Sequence, residues 1–406
     1  MAKNDPSVLT RLILWNTQRY LASGVHYVEM SLGAGWFEDL YLDAILDGIT
    51  RAEKEHAVLV RLLIAFNREK ISQRIHSPEY LRELSRKGDQ KLVHIREPAH
   101  YTKHLAGLSQ VKQILTRKGV LKKFIVGFDI VGNEENRPYT PFLLPEVLDF
   151  ASEMRRTNPN FGFRLHLGEG VSSDNDIGYV SLRLGEHYVS ELSKTHRFRV
   201  RCGHGLGIWG LGDSAFERWK NLYPIMRAPA SRRVQENLRI APVEINLTSN
   251  HYLMKGFPSD PRDERPLRDH PMKVLLRNNF NLVLGTDDPG IFPNVTLRGE
   301  FQKAFSNGLI SEVGTFRSIV EESVRSSFAD SSTIQQLSTI VSSRYPGVTV
   351  PEEKRAIPED TAIDEPFFSD RGLKERKQAE FERAMRAAKE GDPWLIEDWF
   401  NKYDPP

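Results

Sequence analysis

Short runs of apolar and β-branched residues alternate along the chain with longer stretches of helical period, the rhythm of repeated βα units around a parallel sheet. The strand-like runs fall at 24–31 (GVHYVEMS), 57–65 (AVLVRLLIA), 124–131 (FIVGFDIV), 161–167 (FGFRLHL), 198–202 (FRVRC), 241–247 (APVEINL) and 280–285 (FNLVLG). Helical period covers 37–53, 77–87, 98–118, 141–156, 176–194, 213–238 and 271–278, and an amphipathic helix over roughly 6–22 precedes the first run. After the last run come helices at about 297–306, 311–328 and 332–343. Near-continuous apolar strands imply burial on both faces, as in a doubly wound sheet or a (β/α)₈ barrel. Polar residues gather at the carboxyl ends of five runs: Asp129, His166 with Glu169, His204, Asn246 with Asn250, and Asp287 with Asp288. A barrel builds its site at that face, so the pattern predicts an α/β fold of the TIM-barrel type, one strand short of eight.

The barrel is expected over 1–345, followed by a Pro/acidic loop over 346–371 and a charged helix with an aromatic tail over 372–406. In that tail Trp394, Trp399 and Phe400 are expected to pack back on the barrel. With 56 Lys+Arg against 54 Asp+Glu, the formal charge of +2 gives no reason to expect a nucleic-acid or anionic-membrane partner. One cysteine, Cys202, excludes a disulfide framework and suits a reducing compartment. No apolar run approaches the ~18 residues of a membrane span, and no secretory cleavage pattern opens the sequence, so a cytoplasmic protein is expected.

The histidines bring chemistry into this picture. His166 and His204 both end an apolar run beside glycines (HLGEG and RCGHGLG), and LGTDDPG places two adjacent carboxylates after a third. Imidazole nitrogen and carboxylate oxygen are suitable ligands for zinc, which lowers the pKa of a bound water to about 7. Glu169 and His204 are then free for proton transfer, and the set points to a metal-assisted hydrolase.

These same segments resemble the adenosine deaminase family of metal-dependent barrel hydrolases. HLGEG resembles the family's His-Ala-Gly-Glu motif, RCGHGLGI its Arg-Ile-Gly-His-Gly motif, and GTDDPGIF its Thr-Asp-Asp-Pro motif. FDIVGNEENRP resembles an Asp-Leu-Ala-Gly-Asp-Glu segment, and INLTSN stands where Cys-Pro-x-Ser-Asn is expected; the similarity runs from about residue 7 to about 330. The resemblance implies hydrolytic deamination of an adenine nucleoside or nucleotide to the 6-oxo purine, with hydroxide on zinc attacking C6. It implies His166 and Asp287 as zinc ligands, Glu169 as the acid at purine N1, and His204 as the residue that orients and deprotonates the water. Asp288 would accept from N7, and the backbone N–H of Gly132 would meet N3.

One departure stands out. The family's first strand carries a His-x-His pair that supplies two zinc ligands, and none of the twelve histidines here forms such a pair. The zinc site is therefore expected to be incomplete in this chain, and an N-terminal partner segment is expected to supply the missing strand and its His pair, with a homo-oligomer as the alternative assembly. The alternatives are a catalytically impaired purine-binding or assembly module and a divergent site. His26 is a weak replacement, His100 and His104 are expected on the surface of an outer helix, and His251 near the mouth. Arg227, Arg232 and Arg233 make a phosphate on the substrate worth testing.

Overall fold

The computed structural model describes residues 5–68, 101–132, 140–169, 185–205, 238–255, 267, 270–287 and 295–344. Helices 77–87 and 213–238, the Pro/acidic loop, the tail aromatics, Asp288 and the three arginines of 227–233 lie wholly or almost wholly outside them. All seven strand-like runs are strands, in the order α1 (Ser7–Ala22), β1 (Tyr27–Gly33), α2 (Asp39–His56), β2 (Leu59–Asn67), α3 (Thr102–Arg117), β3 (Ile125–Val131), α4 (Pro145–Arg155), β4 (Gly162–Leu167), β5 (Arg199–His204) and β6 (Val243–Ile245). There follow α5 (Leu247–Lys255), α6 (Met272–Arg277), β7 (Leu282–Leu284), α7 (Leu297–Ser306), α8 (Val313–Arg325) and α9 (Ser331–Arg344). Every neighbouring pair is parallel, in sequential order from β1 to β7. No helix among the described residues is long and apolar enough to cross a membrane.

Alternation along each strand sends one set of side chains outward to the helices and the other inward. The outward set, including Ile64, Phe66, Phe128, Phe163, Leu165 and Cys202, forms the main core with Leu42, Ile49, Val111 and Phe150 from the helices. The inward set is charged: Asp129, Arg164 and Arg201 share one register row across β3, β4 and β5. Arg201 on β5 also pairs with Glu29 on β1, four strands away, which only a curled sheet allows. The seven strands thus make a partial TIM-type barrel with β1 and β7 as its edges among the described residues. Its lower end is filled by Phe328, fully buried against Leu63 and Val126. Gly162 is required there, since a Cβ on it would stand 2.2 Å from the Phe328 ring.

Candidate active site

The inward chemistry collects at the carboxyl ends of β3, β4, β5 and β7. His166, the inward residue near the end of β4, donates from Nδ1 to Asp129 Oδ1 at 3.0 Å, which leaves its Nε2 for a ligand. Asp129, fully buried, also accepts from Arg164 (2.9 Å) and from Ser31 (2.5 Å). Burial alone would push this carboxyl toward protonation, but the charges of His166 and Arg164 and these hydrogen bonds outweigh it and hold Asp129 far below the usual carboxylate range. For His166 burial works against the charged ring, and the Asp129 carboxylate outweighs it, so its pKa lies above the ordinary value. A histidine held this way by an ionised carboxylate is oriented and made more basic toward a metal.

His166, His204 and Asp287 offer ligand atoms that all lie within 4.8 Å of one another. Nε2 of the fully buried His204 stands 3.7 Å from Glu169 Oε1 and 3.9 Å from Asp287 Oδ2, and it has no hydrogen-bond partner among the described residues. The free nitrogen of His166 and the carboxylate of Asp287 make a donor set that suits zinc, and the unpartnered His204 Nε2 beside them is left to meet a ligand of that site. His204 (φ 64°) and Asp287 (φ 55°) both hold left-handed backbone, which costs a non-glycine residue of order 1 kcal/mol and persists only where the surroundings enforce it. His204 ends β5 and Asp287 follows β7 by three residues, and the two side chains approach each other at the barrel mouth.

Gly132 follows β3 with φ 91°, and a Cβ there would come within 2.1 Å of Asn67 Oδ1, so only glycine fits. Its carbonyl accepts from Arg68 at 2.9 Å, and the same guanidinium donates to the His166 carbonyl at 2.5 Å. Arg68 thereby ties the backbone of the expected purine contact to that of the expected metal ligand. Sequence reasoning passed over it, together with Ser31 and Arg164; a basic residue just past an apolar run carries no local sign of burial. One expectation is corrected: His104 is buried on α3, not on the surface, with Nε2 3.0 Å from the Asn67 carbonyl and its ring against Phe66. The strand end of β2 lies under α3 and supplies the partner that the helical spacing does not reveal. His251 is buried on α5.

Of the expected site residues, His166, Glu169, His204 and Asp287 come together, Gly132 ends the strand next to that of His166, and Asp288 lies outside the described residues. Asp129→Asn should lower zinc affinity about 10–100-fold, measured by competition against a chromogenic chelator, because the ring then loses its ionised partner. Unchanged affinity would remove His166 from the metal.

No family model matches the sequence. Adenosine deaminase 2-A of Danio rerio is 27% identical over 209 residues, covering 50% of this chain and 32% of its own. The matched stretch thus spans about a third of that curated relative. Among solved structures, a zinc-bound amidohydrolase from Burkholderia ambifaria superposes with a TM-score of 0.51 at 15% identity, over 84% of this chain and 73% of that one. The N6-methyl-AMP deaminase of Arabidopsis thaliana gives 0.50 at 19% identity, over 84% and 80%. The chain is thus similar in sequence over half its length to adenosine deaminase 2-A, and its partial barrel shares the fold of these amidohydrolase and deaminase structures.

Proposed function

We propose that this chain carries the main part of a zinc-dependent deaminase that converts a 6-aminopurine nucleoside or nucleotide, with water, into the 6-oxo purine and ammonia. The observation that supports it most is the meeting of His166, Glu169, His204 and Asp287 at one barrel mouth. His166 and Asp287 would hold the zinc, which would supply an activated water. Glu169 delivers a proton to purine N1, which draws electron density from C6 and opens it to attack. Its carboxyl group lies close enough to His204 for one ligand to touch both. His204 orients the attacking water, and the Gly132 N–H holds N3. Asp288 is assigned to N7. The amine then leaves as ammonia.

Two protein ligands are fewer than a catalytic zinc takes. We place the missing pair on a His-x-His strand seated between the edges β1 and β7 and supplied by an N-terminal partner segment. The reading as a purine-binding or assembly module draws on the same two-ligand set, since a purine pocket does not need the metal.

Metal content and turnover separate these readings. The chain by itself should hold zinc weakly and deaminate adenosine, 2′-deoxyadenosine and adenosine phosphates slowly; adding the His-x-His segment should restore both stoichiometric zinc and turnover. Tight zinc with rapid turnover by the chain alone would overturn the need for the added strand. Inactivity on every substrate with a complete metal site would overturn the deaminase reading. The phosphates belong in the comparison because the Arabidopsis neighbour acts on a nucleotide and because Arg227, Arg232 and Arg233 offer guanidinium groups.

A further inference from the structure

Behind His204 lies a chain of three polar groups that the proposed chemistry has not used. The Asn250 amide stands between two buried rings, with Oδ1 set 3.0 Å from His204 Nδ1 and Nδ2 set 2.9 Å from His270 Nε2. On the far side, the Met272 backbone N–H donates to His270 Nδ1 at 3.0 Å. Asn250, His204 and His270 are all fully buried, so water cannot supply or take protons freely here. The proton count is therefore closed.

A backbone N–H is a donor without ambiguity, so His270 Nδ1 carries a lone pair. Were Asn250 Nδ2 also donating to Nε2, both ring nitrogens would be acceptors, and the ring would have to be an imidazolate. A half-turn of the amide about its last side-chain bond removes the conflict without steric change, because oxygen and NH₂ are nearly isosteric. His270 is then neutral with its proton on Nε2, donating to Asn250 Oδ1. Neutrality agrees with its surroundings: burial, and secondarily the neighbouring His251, push its pKa down to about 3. The amide nitrogen of Asn250 now faces His204 Nδ1, which must accept.

We infer that Asn250 and His270 act as positioning residues that fix His204 as the neutral tautomer with its proton on Nε2, aimed at Glu169 and Asp287. In that form His204 meets the attacking oxygen as a hydrogen-bond donor, and the proton of that water passes first to a carboxylate, Asp287 or Glu169. The network is anchored from outside: Glu300, buried on α7, accepts from the Thr248 backbone N–H at 2.9 Å and so holds the first turn of α5, which carries Asn250. The consequence for turnover rests on the deaminase reading; the tautomer does not.

The test is a two-bond ¹H–¹⁵N correlation spectrum of the full chain labelled at histidine, at neutral pH, with His204→Gln and His270→Gln spectra for assignment. His204 should show its protonated nitrogen coupled to both ring protons and its bare nitrogen coupled strongly to Hε1 alone, the pattern of an Nε2–H ring. Asn250→Asp replaces the donor facing His204 by an acceptor, and the His204 proton should shift to Nδ1 while His270 keeps its pattern. A bare Nε2 on His204 in the native chain overturns the inference, and so does a His204 pattern that Asn250→Asp leaves unmoved. Should that variant fail to fold, the native spectrum decides alone. With the metal site completed, Asn250→Asp should lower kcat about 100-fold with KM within a few-fold, a split that loss of packing would not give. The inferred tautomer in a complete but inactive protein would sustain the positioning and sink the deaminase reading; the opposite tautomer in an active enzyme would do the reverse.

Discussion

Glu169→Gln should reduce deamination by about 10³-fold while leaving purine binding within a few-fold, once the metal site is complete. Glu169 follows Gly168, whose φ of 67° turns the chain out of β4 and back over the mouth. Its side chain is about a quarter exposed (26%), open enough to meet a ligand, and its Oε1 lies 3.7 Å from His204 Nε2. A glutamine keeps the shape and can still donate a hydrogen bond to N1. It cannot give up a proton at working pH, so the amine would have to leave from an unprotonated ring. Loss of a positioned general acid costs typically 10²–10⁴-fold, nearly all of it in kcat. Steady-state assays and equilibrium binding of the 6-oxo product, run on the same preparation, read the two effects separately. A loss of binding as large as the loss of turnover would make Glu169 a substrate anchor and move the acid role elsewhere.

Much of this site was legible because its residues sit where two sequence signals meet. Runs such as FIVGFDIV and FGFRLHL stop at Gly132 and at Gly168, and the polar residues just before or after each stop are those that converge. The same logic recovered each of the seven strands among the described residues, since the outward faces are almost purely apolar and give each run its contrast with the helices. The inward faces were not legible. Arg164, Arg201, Glu244 and Glu29 stand singly among apolar neighbours in their runs, yet they face one another across the barrel interior. Their partners lie on strands remote in sequence, and a charge next to a valine gives no sign of that. The helix α5 was missed for a related reason. Its first turn is held by Glu300, some fifty residues on, so the local sequence INLTSN shows only a strand running into polar residues.

That interior network carries the second large effect: Glu244→Gln should destabilise the fold by about 3–5 kcal/mol at neutral pH. The carboxylate sits between two guanidinium groups, accepting from Arg164 Nε at 2.5 Å and paired with Arg201 Nε at 2.6 Å. Beyond them Arg201 pairs with Glu29, and Arg164 with Asp129, so charge alternates in sign from the foot of the barrel up to His166. Removing the middle carboxylate leaves two buried cations facing each other, which is worse than removing a whole pair. The effect should depend on pH in a stated way. Burial alone would raise the Glu244 pKa, but Arg164 and Arg201 outweigh it and lower it from 4.5 to about 2. A carboxyl lowered on folding contributes its full stabilisation above its unfolded value and loses it as pH falls toward its folded one. The gap between native protein and Glu244→Gln in urea unfolding should therefore stay constant from pH 7 to about pH 5 and then narrow as pH falls from 4.5 toward 2. Glu244→Gln should also weaken zinc binding less than Asp129→Asn, because Arg164 and Asp129 stand between its charge and His166. A penalty below about 1 kcal/mol at pH 7 would mean that water reaches the arginines and that the barrel interior is open where its side chains indicate a sealed ion network.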